Sequence, residues 1–416
     1  MGINWKNLGV APADILLPGE KIDLTAWSVV ACDQYTSQPE YWQAAEELVG
    51  DKPSTLRITL PEIYLQETQT RLPGIYQAME NYLAQGVLEK KVTGFVLTRR
   101  TTQAGDRLGL VAAMDLEAYD YKPGSQSMVR ATEGTIEARL PARVAVRKNA
   151  LLESPHVMCL IDDVKEKVIE PLYAVRDQLP LLYDFDLMLG GGHLTGWAVT
   201  DEKLLGKAAD ALAELKAQVP FLYAVGDGNH SLATAKKCWE AVKTGLTPEE
   251  RETHPARYAL VELENIHSPA LLFEPIHRLL TGVEADALMK DWADWCARRG
   301  MQLSEAGEHA YTVLTKRGAR KVCVKNPAEA IAVGTLQTYL DDYLSRHPEA
   351  EIDYIHGEEA LRALSEKEGC MGFLLPGIDK GMLFTAVERR GALPRKTFSM
   401  GEAHEKRYYM ECRLIK

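Results

Sequence analysis

The sequence predicts a mixed α/β protein of the α+β class, because strand patterns and helix patterns alternate along the chain. Residues 220–245 combine the two: Phe221 to Val225 is an apolar run of strand length, and Gly226-Asp227-Gly228 interrupts it. Apolar residues then recur every three or four positions, as on one face of a helix. An alternating hairpin pattern at 95–114 and an amphipathic pattern at 286–298 indicate the same class.

The stretch 220–245 is therefore predicted to be a strand, a glycine turn and a helix that ends near Gly245. Asp227 or Asn229 is expected to cap this helix. The free N–H groups of its first turn and the helix dipole favour an anion such as phosphate. An ordinary capped helix fits the same pattern, because no complete phosphate-binding fingerprint is present.

The remaining elements follow from the same periodicities. Helices are expected over 62–85, with a break at Pro73-Gly74, and over 202–218, 286–298 and 337–346. Strands are expected over 157–161, 258–263 and 352–357, with a second hairpin at 311–325. At 416 residues the chain exceeds one ordinary core, and we predict a core over 1–250 and a further α/β module over 251–416.

Composition narrows the classes of function. The chain has 48 basic and 59 acidic side chains, a net charge of −11, which argues against a broad nucleic-acid surface and favours a small-molecule ligand. The seven cysteines are dispersed without a C-x-x-C spacing, which is typical of reduced thiols and predicts a cytoplasmic location. No signal pattern and no bilayer-length apolar run occur, so no membrane role is expected.

Residues 119–149 form a polar stretch that is rich in side chains suited to chemistry. Arg130, Arg139, Arg143 and Arg147 offer planar donors for phosphate or carboxylate, and Glu133 is suited to act as a base or metal ligand. A solvated basic loop fits equally well, since the last three arginines are four residues apart and can share one exposed helical face.

Other polar groups have both a functional and an ordinary interpretation. Residues 32–39 follow an apolar strand, where α/β folds often place ligand groups, although a helix cap explains them too. His193 follows three glycines and is either an acid, base or phosphate donor or a turn histidine. Asp162-Asp163 is either a magnesium site or a plain turn. Arg395-Lys396 either closes over a site or is a solvated end.

Five motifs in order then identify a family resemblance. RATEGT at 130–135, GGGHL at 190–194, VGDGNHSLATA at 225–235, IDYIHG at 352–357 and LPRKT at 393–397 resemble the bacterial family named domain of unknown function 1015. The resemblance spans nearly the whole chain. The usual central motif of the family, Asp-Gly-His-His-Arg, is similar to that of free-serine kinases and to the Gly-Gly-Cys-His-Arg of sulfiredoxins. It implies a ParB/sulfiredoxin-like nucleotide-binding core within residues 1–250.

This chain departs from that motif at two positions. Asp227, Gly228 and His230 match it, whereas Asn229 replaces a histidine and Ser231 replaces the arginine that would contact phosphate. Three explanations remain open. Ser231 and the backbone N–H groups suffice to bind phosphate, or the activity differs from that of the family, or another cation takes the place of the missing arginine. The candidates for that cation are Lys236, Arg139, Arg143 and Arg147.

The resemblance implies a phosphoryl-transfer enzyme acting on a small amino acid or hydroxy acid such as serine or phosphoserine. The expected donor is ATP, ADP or pyrophosphate with Mg²⁺. Asp227 would orient the site or hold the metal, Glu133 would accept the hydroxyl proton, His230 and Asn229 would cradle phosphate, and Arg130 with Arg139 would grip an anionic group. The predicted binding residues also include Gly228, Ser231, Thr132, Arg143, His193 and Lys396.

Two other functions stay open at this stage. One is a phosphoserine phosphatase-type hydrolase, in which water replaces the acceptor. The other is a non-catalytic nucleotide- or metabolite-binding regulator. A homodimer is a further expectation.

Overall fold

The computed structural model describes residues 3–122, 124–394 and 396–416, and it confirms the mixed α/β class. The strands are β1 Val10–Ala11, β2 Ala13–Pro18, β3 Leu88–Thr102, β4 Gly105–Asp115, β5 Tyr119–Asp120, β6 Val129–Ala131, β7 Leu152–Glu153, β8 Met158–Ile161, β9 Leu181–Asp186, β10 His193–Val199, β11 Tyr223–Asp227, β12 Tyr258–Asn265, β13 Phe273–Thr281, β14 Gln302–Ser304, β15 His309–Thr315, β16 Gly318–Lys325, β17 Glu351–His356, β18 Cys370–Leu374, β19 Phe398–Met400 and β20 Arg413–Leu414.

The α-helices alternate with these strands, and short 3₁₀ turns precede or follow several of them. They are α1 Leu24–Trp27, α2 Pro39–Val49, α3 Thr68–Ala84, α4 Leu140–Lys148, α5 Glu170–Ala174, α6 Glu202–Lys216, α7 Asn229–Val242, α8 Pro248–Thr253, α9 Ala285–Arg298, α10 Ala332–Arg346, α11 Glu358–Ser365 and α12 Leu383–Arg390.

The chain divides into two compact units. Unit 1 comprises residues 1–272 and 401–416, and unit 2 comprises residues 273–400. The boundary expected after residue 250 lies within α8 of unit 1, and the C-terminal segment belongs to unit 1. Unit 2 is therefore an insertion in the sequence of unit 1.

The described strands of unit 1 form a sheet of 11 strands and a separate pair, β7 with β20. The main path of the sheet runs β5-β6-β11-β8-β12-β4-β3-β10-β9, with β1 on β4 and β2 on β3. β11 pairs parallel to β6 and antiparallel to β8, so the carboxyl ends of β6 and β11 meet at the same edge. This pairing brings the end of the polar stretch 119–149 to the glycine turn after β11.

Apolar side chains cover both faces of this sheet. Along β4, Leu110 and Ala112 pack into one hydrophobic core while Val111 and Ala113 pack into the other. Because both faces are buried, the strand is a continuous apolar run rather than a strict polar and apolar alternation.

The C-terminal segment 401–416, called here the C-terminal strap, returns to unit 1. Arg407 O accepts a hydrogen bond from Ala31 N at 2.9 Å, and Tyr409 N donates to Val29 O at 2.9 Å. β20 of the strap pairs antiparallel to β7. The strap thus links β7 to residues 29–31, where the sequence predicts a strand and the structure has only an isolated bridge between Val30 and Tyr408.

Unit 2 has its own sheet and core. Its described strands run β14-β16-β15-β18-β13-β17, with β19 on β13. Trp292 of α9 stacks on Tyr339 of α10 at 5.4 Å between ring centroids, and Phe373 of β18 meets the same indole edge-on. The predicted strand–glycine–helix at 352–364 is present as β17, Gly357 and α11.

The predicted break at Pro73-Gly74 is wrong, because α3 continues through both residues. A proline inside a helix costs about 3 kcal/mol. Leu72, Ile75 and Met79 are buried on one face of α3, and burial stabilises by about 1.5–3 kcal/mol for each such side chain. Packing therefore outweighs the local penalty.

Two further properties concern the cysteines and the length of the helices. All seven cysteines are free thiols. Within residues 3–122, 124–394 and 396–416, the helices are too short or too polar to cross a bilayer.

Candidate functional site

The glycine turn between β11 and α7 is built as the sequence predicts, except for its cap. Gly228 adopts a left-handed conformation with φ of 78°, and a Cβ there would lie 3.0 Å from Val157 Cα. This position therefore requires glycine. α7 begins at Asn229, and its start has no side-chain cap.

The expected cap is wrong because both candidate side chains bond elsewhere. Asp227 Oδ1 accepts from Gly228 N at 2.9 Å, within the turn itself. Asn229 turns its amide toward β6 and β11. α7 consequently begins without a side-chain cap, and the positive end of its dipole favours an anion.

Asn229 links the ends of β6 and β11. Its Nδ2 donates to Val225 O at 3.2 Å and to Thr132 Oγ1 at 3.3 Å, and its Oδ1 accepts from Thr132 N at 3.2 Å. Thr132 Oγ1 donates to Val225 O at 2.6 Å. Both side chains are buried. Asn229 and Thr132 thus position the loop that carries Glu133.

His230 holds the next part of the same loop. Ile136 N donates to His230 Nε2 at 3.3 Å, which brings residues 133–136 over the start of α7. Glu133 lies on this loop and is partly exposed, as is Ser231 in the first turn of the helix. The structure therefore brings together seven of the predicted residues around one helix start; these are Thr132, Glu133, Asp227, Gly228, Asn229, His230 and Ser231.

Arg130 contacts the segment before β6 and the ring of Phe221. Its Nε donates to Ser127 O at 3.1 Å, its Nη2 donates to Gln126 Oε1 at 3.2 Å, and its guanidinium stacks 4.6 Å from the centroid of the Phe221 ring. The residue is 6% exposed. These contacts give Arg130 a role in fixing β6 and the loop before it.

The other arginines of the polar stretch form ion pairs on α4. Arg143 pairs with Glu62, and Arg147 pairs with Glu153 at 2.6 Å. All four side chains are largely buried, so the exposed helical face allowed by the four-residue spacing is not what forms. The side chain of Arg139 lies outside the described part of the chain.

A lysine from the C-terminal strap reaches the glycine turn. Lys406 Nζ lies 3.2 Å from Asp227 Oδ2, and the lysine side chain is 9% exposed. No sequence signal marks Lys406, which stands in an ordinary charged run and lies far from the motif along the chain.

Asp33 and His156 lie beside this ion pair. His156 Nε2 is 3.9 Å from Asp33 Oδ2, and His156 Nδ1 is 2.8 Å from Tyr409 OH. Burial works to raise the pKa of Asp33, but the charges of His156 and Lys406 and a hydrogen bond from Gln34 hold it below its ordinary value. We call Asp33, His156, Asp227 and Lys406 the charged cluster.

The charged cluster is accessible at its carboxylates. The side chains of Asp33 and Asp227 are 28% and 21% exposed, whereas His156 is 9% exposed. Glu62 adjoins the cluster, because its backbone N donates to Cys32 O at 2.7 Å. Burial raises the pKa of Glu62 despite its partner Arg143, and the charge of Asp33 adds to that rise. Sequence reasoning marked residues 32–39 as possible ligand groups, and Asp33 is the member that joins the site.

A second set of charges joins the strap to the same sheet. Arg407 bonds Glu262 at 2.7 Å and Glu411 at 2.7 Å, and its Nη1 donates to Pro155 O at 2.8 Å. Arg107 Nε lies 3.0 Å from Glu264 Oε1. Every one of these charged side chains is nearly or fully buried.

Glu264 is the outlier in this set. It is 0% exposed, and Arg107 Nε lies at ion-pair distance without hydrogen-bond geometry, so neither carboxylate oxygen accepts a hydrogen bond from a described residue. Burial raises the pKa of Glu264 to about 8; the charges of Glu262 and Asp227 add to this rise and that of Arg107 opposes it. Asp227 therefore connects the charged cluster electrostatically to the buried set.

Two further predicted residues belong to other elements. His193 is on β10, which four strands separate from β11 in the sheet order, and its ring bonds Asp186 Oδ1 at 2.7 Å and Asp184 Oδ1 at 2.8 Å. Burial lowers the pKa of His193, but the two aspartates more than offset this and hold it above its ordinary value. Lys396 belongs to unit 2, where its carbonyl accepts from Arg278 Nη1 at 2.8 Å.

The residues at the turn do not fit a magnesium ion held by the protein alone. Within residues 3–122, 124–394 and 396–416, no group of three or more His, Cys, Asp or Glu side chains is placed to hold a metal. The carboxylate of Asp227 already has the ammonium of Lys406 and the N–H of Gly228 as partners.

Comparisons with known proteins give a family and distant structural likenesses. The model of the family described as "Protein of unknown function (DUF1015)" matches residues 14–345. No curated protein matches.

Among solved structures, the chain is similar to a conserved hypothetical protein from Pyrococcus furiosus, with 11% identity, coverage of 70% of this chain and 91% of that chain, and a TM-score of 0.35. It is also similar to a free serine kinase in complex with AMP, with 11% identity, coverage of 72% and 93%, and a TM-score of 0.39. A third similar structure is C-terminally truncated SbnI from Staphylococcus aureus, with 8% identity, coverage of 70% and 81%, and a TM-score of 0.36. At these TM-scores the likenesses carry no conclusion about activity.

Proposed function

This chain belongs to the family described as Protein of unknown function (DUF1015), and we propose that it is a phosphoryl-transfer enzyme acting on a small amino acid or hydroxy acid such as serine. A nucleotide or pyrophosphate is the proposed phosphate donor. The observation that carries the proposal is the uncapped start of α7, which faces the loop closed by His230 and lies beside the charged cluster.

Phosphate is the ligand class that this helix start suits best. An α-helix that begins without a side-chain cap presents several N–H donors in one direction and the positive end of its dipole. α7 spans residues 229–242, long enough for a developed dipole, and left-handed Gly228 lets the backbone approach a ligand closely. These features support binding of a nucleotide or pyrophosphate phosphate.

The proposed phosphoryl acceptor, a hydroxy amino acid, is inferred from the acidic and basic side chains around the turn. Phosphoryl transfer needs mainly positioning and charge neutralisation, together with a group that takes the hydroxyl proton. Glu133 is the proposed base, since Thr132 and His230 fix both sides of its loop. The carboxylate of Asp33 in the charged cluster is 28% exposed and suits an ammonium group, so an amino acid is a chemically consistent acceptor.

Binding and turnover test the proposal together. Purified protein would be titrated with ATP, ADP and pyrophosphate in thermal-shift and calorimetric assays, each with and without Mg²⁺. Phosphorus NMR would then follow transfer to serine and other hydroxy amino acids. We expect a nucleotide or pyrophosphate to bind and phosphoserine to form. Absence of both binding and turnover across this set would refute the proposal.

Variants assign the chemistry to the turn. Asp227→Ala and Glu133→Gln should each abolish most of the turnover while the far-UV circular dichroism spectrum is unchanged. Asp210→Ala, at an exposed position of α6, serves as the matched acidic control. Full activity of folded Asp227→Ala would make the assignment of the turn wrong.

Two other outcomes would replace the proposal. Release of inorganic phosphate from phosphoserine without added nucleotide would identify a hydrolase. Tight binding of a nucleotide or phosphorylated amino acid with no turnover would identify a regulator.

A further inference from the structure

The phosphate-binding turn proposed above lacks the arginine that its motif resemblance would supply. Ser231 stands at that position, and the chain as a whole is acidic, with a net charge of −11. An anion that approaches α7 also meets the carboxylate of Asp227 directly before the helix. A cation is therefore needed close to the turn for tight phosphate binding.

Three of the four cations expected from the sequence are already neutralised elsewhere, and the side chain of the fourth, Arg139, lies outside the described part of the chain. Lys236 Nζ donates to Leu116 O at 2.8 Å and pairs with Glu240 at 2.8 Å, one turn along α7. Arg143 and Arg147 pair with glutamates outside the turn.

We infer that Lys406 of the C-terminal strap is the phosphate-binding cation of the α7 turn. This inference rests on the proposed function. Lys406 Nζ lies 3.2 Å from Asp227 Oδ2, so its charge cancels the carboxylate that would otherwise repel phosphate. An ammonium carries three donors, and the remaining ones are available to a bound phosphate oxygen.

The neighbours of Lys406 in the strap fix its position. Lys406 has an extended backbone with ψ of 166°, so successive side chains point in different directions. Arg407 is anchored in the buried set of charges, while Tyr409 OH bonds His156 and accepts from Cys32 N at 3.1 Å. The lysine side chain is 9% exposed, so little conformational entropy remains to be lost when an anion binds.

The strap therefore has two functions within unit 1. Arg407 and Tyr409 bind it to the sheet, and Lys406 completes a site whose other groups come from α7, the loop 132–136 and residues 33 and 156. A phosphate-binding residue thus comes from beyond the matched family region 14–345.

Calorimetric titration with pyrophosphate and with ADP tests the inference. Lys406→Met should raise the Kd for both ligands at least about tenfold, because a charge-assisted hydrogen bond contributes roughly 1.5–3 kcal/mol. Lys406→Arg should restore the affinity to within about threefold of the natural protein, since it keeps the positive charge. Lys236→Met, which removes the rival lysine of α7, should change the Kd by less than about twofold.

Folding is controlled separately. Lys406→Gln keeps a donor for Asp227 without the charge and should bind pyrophosphate as weakly as Lys406→Met while melting close to the natural protein. Pyrophosphate affinity of Lys406→Met or Lys406→Gln within twofold of the natural protein would overturn the inference.

The inference and the proposed function fail in different ways. If the natural protein binds pyrophosphate and ADP but the Lys406 variants bind them equally well, only the lysine assignment is wrong. If the natural protein binds neither, the proposed function fails together with the inference.

Discussion

Arg407→Met is the substitution for which the structure gives the clearest magnitude. Arg407 is 5% exposed and bonds Glu262 and Glu411, which are themselves 7% and 0% exposed at the side chain. Methionine keeps much of the volume and removes the charge. Two buried carboxylates then lose a shared partner, although Thr98 still donates to Glu262 and Tyr183 still donates to Glu411.

The expected cost is large for a single substitution. Removal of one partner from a buried ion pair destabilises a protein by about 3–5 kcal/mol, because an uncompensated charge remains in a medium of low dielectric constant. Lys167→Met is the matched control. Lys167 pairs with Glu214 at 2.6 Å, but both side chains are nearly half exposed, and such pairs contribute about 0–1 kcal/mol.

The cost should depend on pH in a defined direction. In the natural protein burial works to raise the pKa of Glu262, but the charges of Arg407 and Arg107 hold it below its ordinary value. A lowered pKa contributes stability above the unfolded-state pKa, and this contribution is lost as pH falls. Without Arg407, burial raises the pKa of the carboxylate, and its penalty is relieved when it binds a proton. The destabilisation by Arg407→Met should therefore be larger at pH 8 than at pH 5.

Urea unfolding at pH 8 and pH 5 measures this difference. Amide hydrogen exchange in β12 reports on unit 1 specifically, which matters because two compact units need not unfold in one transition. A destabilisation below about 1 kcal/mol at pH 8, similar to that of Lys167→Met, would refute the electrostatic reasoning. So would a large destabilisation that does not change with pH.

Three further predictions concern other parts of unit 1. Gly228→Ala should lower the free energy of unfolding in urea by at least about 1–2 kcal/mol, because φ is 78° and the added Cβ would lie 3.0 Å from Val157 Cα. Gly245→Ala is the control and should change it little, because a Cβ there meets nothing within 4 Å. Burial raises the pKa of Glu264 to about 8, so the natural protein should lose stability as pH rises from 5 to 8. Glu264→Gln should make the melting temperature fall less over this range. An unchanged slope would contradict this. Asp163→Ala should lower the free energy of unfolding in urea by about 1–3 kcal/mol, because Asp163 Oδ2 accepts from two backbone N–H groups at 2.6 and 2.8 Å and the residue is 3% exposed. A near-neutral effect would show that these hydrogen bonds are replaceable.

Local patterns predicted the strand, turn and helix around Asp227 closely. α7 spans residues 229–242, a 3₁₀ turn follows to Gly245, and Leu232, Ala235 and Trp239 are buried on its inner face. The strand begins at Tyr223 rather than Phe221, because its pairing with β6 starts there. These features depend on residues close in the sequence, and the periodicity of apolar residues reflects such local interactions.

The cap of α7 was predicted wrongly for a reason that local sequence does not contain. Asn229 has a good capping side chain, but its amide finds Thr132 and Val225 once β6 lies beside β11. The parallel pairing of two distant strands thus gives the Asn229 amide other partners, and α7 begins without a side-chain cap. The assignment of a ParB-like core and of the catalytic roles stays a prediction.

The charged cluster shows the limit of sequence reasoning most directly. Asp33, His156, Asp227 and Lys406 lie in four separate segments, and no spacing rule connects them. Asp33 was marked by its place after an apolar strand. Lys406 had no such mark, because a lysine in a charged run is ordinarily a solvated residue.

The interruption of unit 1 by unit 2 has a consequence for synthesis of the chain on the ribosome. Gly401 N donates to Leu272 O at 3.1 Å, so the two points where the chain leaves and re-enters unit 1 are adjacent. A nascent chain that has emerged as far as Leu272 has nearly all of its first unit but lacks the strap. Glu262 and Glu264 are then without Arg407 above them, and Asp227 is without Lys406. Unit 1 can therefore complete its structure only after the whole of unit 2 has been translated. The last step of its folding, the binding of the strap, follows release of the finished chain from the ribosome.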